Sequence, residues 1–158
     1  MRVLLDYRAA LRERSGVGEY AFQLGRALVA AFPPGGHDAL DLTLFSSSWK
    51  DRLVVPPELA GATVVDRRVP VRALNFAWHR LEWPPAEQLA GRGFDLTHSL
   101  HPLLMPSRAA AHVVTIHDLI YARFPDAHAG LRDKGMRLLV PAAARRTPPA
   151  YIAVSSAG

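Results

Sequence analysis

Val113-Val114-Thr115-Ile116 is an unbroken β-branched run, and His117-Asp118 follows it directly. Such a run reads as a buried strand. In an open α/β sheet, ligands gather outside the carboxyl ends of the strands. An imidazole placed there can donate a hydrogen bond to a ligand hydroxyl or carbonyl, or move a proton near neutral pH. It can equally be satisfied by a loop carbonyl. His117 and Asp118 are therefore the candidate catalytic pair.

Gly16-Val17-Gly18 carries a second kind of chemistry. Val17, Tyr20, Ala21, Leu24, Ala27, Leu28 and Ala31 recur at helical spacing directly behind it. A helix start offers unpaired N–H groups and a partial positive charge, and glycines let an anion approach the backbone closely. Gly16, Val17 and Gly18 are thus candidate phosphate-binding residues. The alternative is a plain tight turn with Ser15 as the helix cap. A dinucleotide fingerprint needs a third glycine where Ala21 stands, and needs it immediately after a strand. No NAD(P) site is expected.

His98-Ser99-Leu100-His101 supplies two more imidazoles. With His117 they could in principle hold zinc. Side chains on a strand alternate faces, so positions 98 and 101 diverge unless the chain bends. No metal site is expected, and His98, Ser99 and His101 are assigned to a polar pocket wall. Arg67, Arg68, Arg72 and Arg80 are interleaved with Trp78, His79 and Trp83. That mixture suits an anionic membrane surface; a solvated edge with its aromatics turned inward is the competing reading. Nucleic acid is not expected as a partner. Arg72 and Arg80 are candidate acceptor-side residues.

Composition bounds these readings. The chain has 158 residues, enough for one domain with a real core, and 49% of them are hydrophobic, which speaks against extended disorder. The net charge of +5 rests on seventeen arginines and only Lys50 and Lys134. The arginines are scattered, which fits either codon bias or a basic face. There is no cysteine, hence no disulfide framework and no thiolate metal site. A reducing cytoplasmic setting is expected. No stretch approaches the about 18 apolar residues of a membrane span, and Asp6 and Arg8 interrupt the opening apolar run, so no signal peptide is read there.

The elements that would position these residues follow from periodicity. Strands are expected at 2–6, 41–47, 62–69, within 93–99, at 112–119 and at 151–155. Helices are expected over 17–31, 74–81, a short piece through Leu89, and a long segment after Pro125 divided at Pro141. Pro33-Pro34, Pro84-Pro85 and Pro148-Pro149 punctuate the series. Six strands alternating with helices predict an α/β domain: a Rossmann-like, doubly wound, mostly parallel sheet in the order 3-2-1-4-5-6 with helices on both faces.

Several pieces together resemble the N-terminal half of GT-B glycosyltransferases of the family 4 (group 1) type. They are Arg2 to Asp6, Ser15-Gly16-Val17-Gly18-Glu19-Tyr20, Phe94-Asp95-Leu96-Thr97-His98, Val113 to Leu119, Phe124-Pro125 and Tyr151 to Ser155. The resemblance implies retaining transfer of a sugar from a nucleotide-sugar donor to a glycan or lipid-linked acceptor, with no cofactor or essential metal. It implies that Gly16 and Gly18 turn N–H groups toward the donor diphosphate and that His117 points at the donor sugar. It also implies an acceptor resting on this domain, often beside the inner membrane face. Such enzymes run to roughly twice this length. The expectation is therefore a single acceptor-side domain, 1–158, inactive without a C-terminal nucleotide-binding domain. A non-catalytic module for an anionic ligand or membrane surface is the alternative. A sugar-nucleotide epimerase is disfavoured by the broken glycine fingerprint and the lack of a Tyr-x-x-x-Lys pair.

Overall fold

The computed structural model describes residues 1–11, 14, 16–33, 35–117 and 141, and the backbone of 150–153. The strands are β1 (Arg2–Asp6), β2 (Asp41–Ser47), β3 (Thr63–Arg67), β4 (Leu96–Ser99), β5 (Ala111–Ile116) and β6 (Ala150–Ala153). The helices are α1 (Val17–Ala31), α2 (Val71–Arg80) and α3 (Ala86–Ala90), with 3-10 turns at Arg8–Ala10 and Pro57–Leu59. The sheet order is β3-β2-β1-β4-β5-β6, and every neighbouring pair is parallel. The Rossmann-like α/β architecture is therefore present.

Alternation along β1 builds two cores. Val3, Leu5 and Tyr7 face one side, where Leu42, Leu44, Ala21 and Phe22 of α1, and Leu59 close around them. Leu4 faces the other, with Phe45, Val65, Leu74 and Trp78 of α2, and Ala86 of α3. A strand buried on both faces reads as a continuous apolar run for this reason. Gly25 lets α1 approach closely: a Cβ there would lie 3.2 Å from a Leu59 methyl.

Several boundaries differ from the sequence expectation. The third strand is trimmed from 62–69 to Thr63–Arg67, and the fifth runs from Ala111 to Ile116 instead of 112–119, so His117 stands just beyond it. The sixth runs over Ala150–Ala153, one residue earlier at its start than expected, and Val154 and Ser155 of the expected strand lie outside the described residues. The second helix begins at Val71, three residues before its periodic apolar positions, because Pro70 starts it without a capping side chain. Likewise Gly16 is the N-cap of α1, which begins at Val17 as expected, and the helix start carries no side-chain cap. Asp118 and the helix expected after Pro125 lie outside the described residues.

Candidate functional site

In a parallel sheet all carboxyl ends share one edge, and α1 begins beside that edge because it follows β1. Register places His98 of β4 opposite Leu5 of β1 and Val113 of β5. Two residues beyond Val113, Thr115 meets His98: Nε2 and the hydroxyl are 2.8 Å apart. Two further on, His117 stands on the same face, which is the α1 face. Its ring meets Tyr20 of α1 edge to face, with centroids 5.0 Å apart and planes at 87°. The amide N–H of Tyr20 donates to the Gly16 carbonyl at 3.0 Å. His117 therefore lies one helical turn from the Gly16 start.

The backbone at Gly16 has φ +51° and ψ −116°, a conformation that a side chain would strain. Glu19, in the first turn, takes a hydrogen bond from the Gln23 amide at 2.6 Å, along the helix flank. The helix start thus has no side-chain cap and retains its partial positive charge.

Asp6 ends β1 on the opposite face. It is buried and engages Arg8 through both oxygens, at 2.8 Å from Nε and 2.7 Å from Nη2. Burial pushes its carboxyl up, but the Arg8 charge and hydrogen bonds outweigh this and hold it below the ordinary carboxylate value. Nη1 of Arg8 donates to Asn75 of α2 at 2.8 Å, and the guanidinium stacks 4.7 Å above the Trp78 ring. Sequence reasoning passed over Arg8; the only signal was its place two residues after a strand-end acid.

The assigned pocket wall divides. His101 is exposed, accepts the Leu103 N–H at 3.3 Å through Nδ1 and is close enough for its charge to act on Asp6. His98 and Ser99 are buried supports: the Ser99 hydroxyl accepts the Met105 N–H at 3.1 Å. Arg72 lies in the first turn of α2, near the carboxyl edge. Arg80 ends that helix about 12 Å further along its axis, so it is carried away from the edge. Among the described residues, no three His, Asp or Glu side chains gather as a metal site.

Desolvation pushes His98 down from 6.5 to about 4, against a smaller upward pull from Asp6. The folded pKa lies below the unfolded one, so the unfolded chain takes up the proton first. Stability from this group is whole above about pH 6.5 and erodes as pH falls to about 4, by about 3 kcal/mol in all. Urea titrations across that window should show the slope in the parent and a flatter one in His98→Gln. Equal slopes would remove His98 as the cause.

Fold and edge together define a Rossmann-like α/β protein with polar side chains gathered at its carboxyl edge. No protein family, characterised protein or solved structure matches the chain.

Proposed function

We propose that this chain is the acceptor-side half of a retaining glycosyltransferase, moving a sugar from a nucleotide-sugar donor to a glycan or lipid-linked acceptor. The contact of His117 with Tyr20 carries the reading, because it brings the candidate imidazole to within a turn of an uncapped, glycine-started helix. In the reaction the bond from the sugar C1 to the diphosphate oxygen breaks, and a bond from C1 to an acceptor oxygen forms. The acceptor proton leaves with the diphosphate. The N–H groups at Gly16 to Gly18 would meet the developing diphosphate charge, and His117 would hold a donor sugar hydroxyl. The reading needs a second, nucleotide-binding domain facing this edge, since one wall alone does not hold two substrates in reacting geometry. The test is transfer of labelled sugar by the chain joined to such a domain, with His117 intact and replaced. Absence of His117-dependent transfer from every nucleotide sugar tried would overturn it.

A membrane-facing role rests on a separate observation. Arg72, Phe76 and Arg80 repeat every fourth residue on the outer face of α2, and Phe76, Leu81 and Trp83 are 63%, 64% and 54% exposed. A cationic stripe around exposed aromatics suits an anionic bilayer surface. Among the described residues no helix is long and apolar enough to cross a membrane, so the contact would be peripheral. The chain should co-sediment with anionic vesicles in low salt, release as salt rises, and lose most binding in Phe76→Ser/Trp83→Ser. Equal sedimentation with neutral vesicles would count against this role.

A further inference from the structure

A cavity of about 620 Å³ opens beside the carboxyl ends of β1 and β2, lined among others by Arg8, Ser48, Trp49, Lys50, Asp51 and Arg72. Its size falls within the about 300–1,000 Å³ of small-molecule sites. The loop that shapes it is held in place. The Ser48 hydroxyl accepts the N–H groups of Lys50 and Asp51 at 3.3 and 3.0 Å and donates to the Asp51 carboxylate at 3.3 Å, and the Ser48 N–H donates to the Arg67 carbonyl at 3.1 Å. The Ser47 hydroxyl donates to the Val69 carbonyl at 2.8 Å, tying the end of β2 to the segment that leads into α2.

Among the described residues the lining has three cations. Arg8 is committed to Asp6 and Asn75. Lys50 and Arg72 enter none of the ion pairs among the described residues. Among the described lining residues they outnumber the Asp51 carboxylate, which leaves that part of the lining net positive. Trp49 stands 68% exposed at this lining. A large aromatic ring left in water on a hydrogen-bonded loop offers a flat apolar face beside two cations and a hydroxyl-accepting carboxylate.

We propose that this cavity binds an anionic saccharide: the sugar ring lies on Trp49, its hydroxyls reach Asp51, and its phosphate or carboxylate meets Lys50 and Arg72. As an acceptor site, this assignment rests on the glycosyltransferase reading; as a binding site, it does not.

Calorimetric titration of the 158-residue chain with glucose 6-phosphate, glucuronate, glucose and inorganic phosphate tests it. At least one charged sugar should bind at least about tenfold more tightly than both glucose and inorganic phosphate, and added salt should weaken it. Preference between the two charged sugars identifies the phosphate ester or the carboxylate as the anion. Trp49→Ala and the double variant Lys50→Ala/Arg72→Ala should each lower that affinity by about tenfold or more, with an unchanged circular dichroism spectrum because all three side chains are exposed. Glucose binding as tightly, inorganic phosphate binding as tightly, no binding at all, or binding indifferent to the variants would each overturn the proposal. Failure here with His117-dependent transfer intact would leave a neutral acceptor. Binding here without transfer would leave a saccharide-binding module.

Discussion

Replacing His117 with alanine, in the chain joined to a donor-binding domain, is expected to lower kcat by about 10²-fold or more. The fold should hardly respond. His117 stands beyond the last residue of β5, half-buried, and its ring contact with Tyr20 is worth about 0.5–1.5 kcal/mol. A large kinetic loss beside a small stability loss separates a group that touches substrate from one that only packs. The split between kcat and KM adds to this. Loss of a hydrogen bond to the donor sugar that strengthens in the transition state lowers kcat and kcat/KM together. Turnover within a few-fold of the parent would end the catalytic assignment.

The second large effect concerns the buried pair below the cavity. Arg8→Ala should cost about 3–5 kcal/mol, because it leaves the Asp6 carboxylate buried without its counter-charge. The stacking on Trp78 and the bond to Asn75 go with it. The pH dependence carries the signature. In the parent, Asp6 titrates below its ordinary value of 3.8, so its contribution is present above that pH and is lost in acid. In Arg8→Ala the guanidinium charge and its side-chain hydrogen bonds are gone, and burial, the largest influence, raises the carboxyl above its unfolded value against only the residue-8 backbone N–H and the His101 charge. The penalty is then largest at neutral pH and shrinks as acid protonates Asp6. Asp6→Asn in the same background should recover part of the loss. Denaturant unfolding of the four proteins of this cycle reads all three outcomes, and a loss below about 1 kcal/mol at neutral pH would show that water replaces the guanidinium.

Much of the scaffold was legible in the residue order. The β-branched and leucine runs of β1, β2 and β5 and the 3.6-residue spacing of α1 are local patterns, readable because burial on one or both faces imposes a period on the chain. Alternation of strands with helices then left few topologies open, and the strand order followed. The 3-10 turns at Arg8–Ala10 and Pro57–Leu59 were invisible because three residues carry no period. The start of α2 was missed because Pro70 begins the helix without the usual capping side chain.

The candidate site divides along the same line. Residue type and strand-end position were enough to single out His117 and Gly16 to Gly18, since the carboxyl edge of a parallel sheet is set by topology alone. The pairing of Arg8 with Asp6 and Asn75, the burial of His98 against Thr115, and the loop that holds Trp49 and Lys50 beside Arg72 came only with the tertiary structure. So did the contact of His117 with Tyr20. These are contacts between elements, some far apart in sequence. Which partner each polar group meets, and whether water reaches it, depends on packing that no local period encodes.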